Sequence, residues 1–269
     1  MRFSIIIPNY NSEKTIVKLL DSIRNQTYKD YEVIIVDDVS TDNSCKVIDE
    51  YITRNNLYNQ FFLDNLYKKR YNGGTRNAGV EEARGDYILF ADCDDWFFSN
   101  TSLEAISKVI DRNPNIDLVR LSYAPCINGE FCRIGTVRLH ENSLEKLVDS
   151  IFVAPWLKCI RRDLFVPFPE NTLCEDVVQH IAQIDNIERF VCCDEPIMVW
   201  NRDNPEAISA DGKVYERDSK RFSSIYRQLA DLLDLRCKHG YCETERQKRI
   251  EWYLNKIHKS EEGTIVRTA

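Results

Sequence analysis

With 269 residues, 43% of them hydrophobic, the chain can build one large α/β domain, or such a domain with an appendage. The formal charge of −7 argues against a general phosphate-backbone binder, so a nucleic-acid partner is not expected. No window approaches the roughly 18 consecutive apolar residues of a transmembrane helix.

Met1-Arg2-Phe3-Ser4-Ile5 enters a strand-like run rather than a signal sequence, so the mature protein is expected to start here and to be cytoplasmic. The ten cysteines form no C-x-x-C pair and read as reduced thiols. Cys237, His239 and Cys242 could supply three zinc ligands, but a fourth is missing and the trio reads as a helix-turn-helix corner.

Phe3 to Ile7 is a short β-branched run that Pro8-Asn9-Tyr10-Asn11 is expected to stop. A helix capped by Asn11 or Ser12 should follow, since Ile16, Leu19, Leu20 and Ile23 form one apolar stripe. Tyr31 to Val36 reads as a central parallel strand, apolar on both faces, and ends in Asp37-Asp38. Val47, Ile48, Tyr51 and Ile52 mark the next helix, and a less regular stretch follows it.

The glycine-rich run Tyr71 to Gly79 leads into a short helix closing at Arg84-Gly85. Then come a strand from Tyr87 to Ala91, a helix around Leu103, Ile106 and Ile110, and a strand from Leu118 to Tyr123. This alternation predicts a mostly parallel sheet flanked by helices, with ligands beyond the carboxyl ends of its strands. Three such ends carry polar clusters, Pro8 to Asn11, Asp37-Asp38 and Asp92 to Asp95, and these should line one pocket.

Later, Cys126 to Val137 reads as a hairpin turning at Asn128-Gly129, with helices at about 143–152 and 175–183. Beyond about residue 210 the pattern is helical only, with a frayed tail at 263–269. The C-terminal apolar stripe is expected to dock on the catalytic domain or pair with a second copy; lying on a membrane surface is the weaker alternative.

Like charges at Asp92, Asp94 and Asp95 cost folding energy unless a cation sits among them. A hard divalent ion, Mn²⁺ or Mg²⁺, suits carboxylates completed by substrate phosphates and water. The plain alternative is that these acids cap the helix starting near Asn100, or stand solvated in a loop.

The segments "SIIIPNYN" with Gln26-Thr27, "YEVIIVDDVSTDNS", "GGTRNAG", "GDYILFADCDDW", "PWLKCIRRDLF", "CEDVV" and "WNRDNPEAIS" stand in an order that closely resembles the family 2 glycosyltransferases of GT-A fold. The resemblance covers about residues 3–209. It implies an α/β GT-A type, Rossmann-like sheet as a catalytic domain over 1–209, divided into a nucleotide-binding half (about 1–123) and an acceptor half (about 124–209). A helical segment at 210–262 would follow.

The implied activity is metal-dependent, inverting transfer of a sugar from a nucleotide-sugar, UDP-linked by expectation, to a hydroxyl of a glycan or lipid-linked glycan in surface polysaccharide assembly. By the same resemblance, Pro8 and Tyr10 would shape the wall beside the base and Asp38 would accept from its imide. Val39 stands where the family usually has glycine. Arg76, Lys158, Arg202 and Ser209 would face the diphosphate, Asp92 the ribose, and Asp94 with Asp92 the metal. Asp176 of the Glu175-Asp176 pair would be the general base.

Trp156 could floor the acceptor site; the alternatives for single residues are an Arg76 pair with Glu81 or Glu82, plain surface charge for Lys158 and Arg202, and a core place for Trp156. Asp37 and Asp95 are taken as structural and His180 as packing or solvent-facing. Two rivals for the whole chain remain. One is a haloacid-dehalogenase-like phosphatase built on the "ILFADCDDW" loop, although that loop falls late in the chain; the other is a non-catalytic nucleotide-sugar binding module.

Overall fold

The computed structural model describes residues 1–131, 153–170, 175–184 and 186–205. The expected helix at 143–152, the C-terminal helices, the tail, Ser209 and the Cys237, His239, Cys242 trio lie outside the described residues.

The first four strands, β1 (Phe3–Asn9), β2 (Tyr31–Asp37), β3 (Phe61–Asn65) and β4 (Tyr87–Phe90), pair in parallel in the order β3-β2-β1-β4. Beyond β4 the same sheet continues through β8 (Lys158–Arg161), β6 (Leu118–Ile127), β9 (Phe190–Asn201) and β5 (Trp96–Phe97), and the short β7 (Glu130–Phe131) pairs with β6. Because β8 is antiparallel to both β4 and β6, β6 runs in the same direction as β4, and β9 is parallel to β6. The sheet is therefore mixed, with its parallel half at the N-terminal side.

Helices cover both faces. The stripe Ile16, Leu19, Leu20 and Ile23 of α1 (Ile16–Arg24), with residues of α2 (Ser44–Arg54) and α4 (Ser102–Arg112), packs against Ile5, Ile7, Val33, Ile35 and Leu89. On the other face Ile6, Ile34, Val36, Ile88 and Phe90 meet Ala78 of α3 (Tyr71–Glu82) and Phe168. Successive residues of each strand serve opposite layers, so a strand buried on both faces reads as an unbroken apolar run.

Several local expectations are corrected. Pro8 does not end β1: the strand continues to Asn9, paired with Asp37. The missing N–H is harmless because even-numbered residues of β1 face β4, and β4 ends at Phe90, opposite Ile6. The α1 entry uses the Ser12 main-chain carbonyl, which accepts from Thr15 and Ile16 N–H at 2.9 and 3.0 Å, instead of a side-chain cap. The glycines at 73 and 74 lie inside α3 and not ahead of it; close packing is what calls for glycine in this helix, since an added Cβ at Gly73 would stand 2.4 Å from the Pro169 carbonyl and one at Gly79 2.5 Å from Ile6 Cγ2. The hairpin at Asn128-Gly129 is present between β6 and β7, and β6 runs past Tyr123 to Ile127.

A candidate nucleotide-sugar cleft at the carboxyl ends of the strands

At the ends of β1 and β2 two carboxylates are held in a hydrogen-bond network whose donors are all uncharged. Asp37, 3% exposed, accepts from Asn9 Nδ2 at 2.6 Å, Ser40 N–H at 2.8 Å and Ser40 Oγ at 2.5 Å. It is a loop support, as expected. Asp38 accepts the N–H of Arg70 at 2.6 Å on one oxygen and that of Tyr71 at 3.0 Å on the other, and so fixes the start of α3. The backbone here is strained: Asn11, Val39 and Tyr71 have φ of 50°, 62° and 59°. A left-handed conformation is ordinary for Asn but costs energy for Val and Tyr, and such outliers cluster at functional sites. Half-exposed Tyr10 forms the outer wall, with Lys69 Nζ 3.3 Å above its ring centre.

The loop after β4 closes on this network. Cys93 Sγ donates to the Pro8 carbonyl at 3.1 Å, seating the acidic loop beside the ends of β1 and β2. The three polar strand ends thus meet. Asp95 is 3% exposed and accepts the Asn201 N–H at 2.8 Å; burial, with repulsion from Asp92 and Asp94, drives its carboxyl well above the ordinary range. Asp94 accepts from Asn204 Nδ2 at 2.9 Å, and burial pushes it up despite that bond. Neither caps α4, whose preceding residue is Thr101 and whose entry is held by Ser99 and Ser102.

Arg76 links this loop to the opposite wall. Its guanidinium is 4% exposed and donates to Asp92 at 2.8 Å and to Glu175 at 2.9 Å, with Phe168 packed 5.4 Å from it. The pairing with Glu81 or Glu82 is replaced by this one. Burial disfavours the Arg76 charge, yet its acidic partners outweigh that and hold it above its ordinary value. Glu175 and Asp176 open α5 (Glu175–Ile184); burial raises the Glu175 carboxyl against the pull of Arg76.

Lys158 is not surface charge. It is 1% exposed, donates to the Val153 carbonyl at 2.7 Å, and is pushed well below its ordinary value by burial and by Arg120, against the attraction of Asp176. Arg120 is its register partner on β6, also 1% exposed, donating to the Leu157 carbonyl at 3.0 Å. Burial lowers Arg120 to about 10. Sequence reasoning missed this residue, since a lone Arg in a strand reads as solvent-facing; its one signal was the apolar run on both sides of it. Arg202 is exposed, with its guanidinium 4.7 Å from the centre of the Trp200 ring. Trp156 is core, edge-on to Tyr123, and His180 is buried.

A groove of about 610 Å³ between Arg112, Pro114, Glu188 and Arg189 opens at the amino ends of β6 and β9, the end of the sheet away from the acidic loop. Among the described residues no helix is long and apolar enough to cross a membrane.

A known family matches this chain: residues 4–164, more than half of it, fit the sequence profile of Glycosyl transferase family 2, and the chain belongs to it. The phosphatase alternative is thereby set aside. The chain is 32% identical over 123 residues to the poly(ribitol-phosphate) beta-N-acetylglucosaminyltransferase TarS of Staphylococcus aureus, a match covering 45% of this chain and 21% of that protein. It is 37% identical over 123 residues to a poly(ribitol-phosphate) beta-glucosyltransferase of Bacillus spizizenii, covering 45% of this chain and 19% of that one. The matched stretch thus spans about a fifth of these relatives.

Among solved structures, S. aureus TarS in complex with UDP-GlcNAc superposes with a TM-score of 0.73 at 26% identity, covering 97% of this chain and 73% of that one. A mannosyltransferase of Pyrobaculum calidifontis, in complex with GDP-Man and Mn²⁺, shares the fold at a TM-score of 0.64 and 18% identity, covering 97% and 74%. The architecture is the GT-A type.

Proposed function

We propose that residues 1–209 form a glycosyltransferase domain that moves a sugar from a UDP-linked donor to a glycan hydroxyl, with inversion, in surface polysaccharide assembly. The observation that supports this reading is the Arg76 bridge, because one buried guanidinium ties the Asp92 loop to the start of the helix that carries Glu175 and Asp176. The relatives named for transfer onto poly(ribitol-phosphate), and the neighbour bound to UDP-GlcNAc, support the donor and acceptor classes.

In this reading Asp176 takes the proton of the acceptor hydroxyl as its oxygen attacks the anomeric carbon. The bond from that carbon to the diphosphate breaks on the opposite side, and its electron pair stays on the leaving oxygen. Lys158 and Arg202 face the diphosphate, a role that the family resemblance also implies for Ser209, while Pro8, Tyr10 and Asp38 hold the base.

Asp94 and Asp92 would hold a divalent cation, which when bound offsets the charge developing on the diphosphate. What supports this is the chemistry of the donors, two hard carboxylates two residues apart on one loop. Such an ion is typically held by one or two protein carboxylates and completed by substrate phosphates and water.

The test is a panel of UDP-sugars with Mn²⁺, Mg²⁺ or EDTA, scored by UDP release and thermal shift. Metal-dependent release is expected, lost in Asp176→Asn while donor binding persists. Binding with no turnover under any pairing would instead favour the non-catalytic module.

A further inference from the structure

Lys69 lies on the wall of the cleft, and neither the family pattern nor the chemistry above gives it a role. Its ammonium stands 3.3 Å above the Tyr10 ring, and the side chain is half-buried. The next two residues, Arg70 and Tyr71, are tied through their N–H groups to the two oxygens of Asp38, and Tyr71 is held at a φ of 59°. A second anchor fixes the loop from outside, where Arg70 pairs with Glu170. A donor on a fixed loop therefore stands next in sequence to the residues bound by a fixed acceptor. Each Asp38 oxygen keeps a further lone pair.

The edge of a uracil presents a carbonyl, an N–H and a second carbonyl in a row. A carboxylate suits the N–H, and a cation beside it suits a flanking carbonyl. Cytosine reverses this order at two of the three positions, offering an amino donor toward the cation and a bare ring nitrogen toward the carboxylate. Leaving such groups mismatched inside a site is what gives polar recognition its selectivity.

We propose that Lys69 is a specificity-determining residue that reads the 4-carbonyl of the donor's uracil while Asp38 reads the imide, so that UDP is chosen over CDP. This rests on the reading that Tyr10 and Asp38 hold the base. When the base enters along Tyr10, the ammonium exchanges the ring for the carbonyl, a modest loss for a cation–π contact on a half-exposed ring.

The experiment is calorimetric titration of the full chain with uridine, UDP and CDP, for wild type, Lys69→Met and Lys69→Arg. The Met variant keeps the aliphatic stem over Tyr10 and removes the charge. Lys69→Met is expected to weaken uridine and UDP about tenfold, with CDP within about twofold, and Lys69→Arg to keep most of the preference. Equal losses for UDP and CDP would mark a phosphate contact and overturn the proposal, as would an unchanged or tightened UDP affinity. Wild type that binds no UDP would overturn the underlying reading of the cleft. Wild type that prefers UDP to CDP, with the preference intact in Lys69→Met, would overturn only the role of Lys69.

Discussion

The two sides of the cleft stabilise their carboxylates by different means. At the ends of β1 and β2, Asp37 and Asp38 are held by an amide, a hydroxyl and main-chain N–H groups, all neutral. On the face covered by α3 and α5, carboxylates meet buried cations: Arg76 lies between Asp92 and Glu175, and Lys158 lies beside Arg120 within the field of Asp176. Neutral donors fix a shape whatever occupies it, which suits a wall that recognises a base. A buried ionic layer is costly and sensitive to any added charge, which suits the side where a diphosphate leaves and a proton moves.

Breaking the ionic side at its centre should have the largest effect. Arg76→Met removes a guanidinium that is 4% exposed from between Glu175, 9% exposed, and Asp92, 32% exposed; the Glu175 side is a buried ion pair, and removing one member of such a pair typically costs about 3–5 kcal/mol. A urea midpoint lowered accordingly, with turnover lost, is expected. A loss under about 1 kcal/mol would show that the layer is solvated and that the contrast between the two sides is overstated.

Lys158 gives an intermediate test with a definite sign. Its folded value is depressed well below 10.5, so at low pH the native state carries a penalised ammonium. As pH rises through the folded value the native amine sheds its proton while the unfolded chain still holds one, so this group's contribution to stability improves up to the unfolded value. Lys158→Met should flatten that rise and be about 1 kcal/mol more stable than wild type at pH 6, the lost bond to Val153 offsetting part of the gain. Activity should fall sharply in the same variant. An unaltered stability–pH curve would mean that Lys158 is charged without penalty.

The same contrast explains what could be read in the sequence. β1, β2, β4 and the α1 stripe were legible because burial on one or both faces writes a period into the residues. β3 was not, since Phe61–Asn65 is a short edge strand half open to solvent. β9 was hidden by Cys192 to Pro196, where its register with β6 shifts and a proline is tolerated. The glycines of α3 read as a loop because their reason, close approach to Pro169 and Ile6, is tertiary. At the cleft, the acidic loop and the Glu-Asp pair stood out as motifs. The Arg76 bridge and the Arg120 neighbour of Lys158 depend on which strands and helices meet, and no local pattern encodes that.

The smallest expected effect lies on the neutral side, at Val39. A β-branched residue held at a φ of 62° costs about 1–2 kcal/mol, and its side chain is 40% exposed, so little packing is returned. Val39→Gly removes the steric cost but loosens the unfolded chain by about 0.4–1 kcal/mol, for a net gain of about 0.5–1 kcal/mol. In a chain of this size that is a rise of about 1–4 °C in Tm, measurable by calorimetry. Because Asp37 takes the Ser40 N–H and hydroxyl through groups that the substitution leaves in place, the Asp38 wall should keep its affinity for UDP. A stabilised variant that has lost UDP affinity would show that the strain itself shapes the base-binding wall. A destabilised variant would show that the Val39 side chain makes a packing contribution larger than its exposure implies.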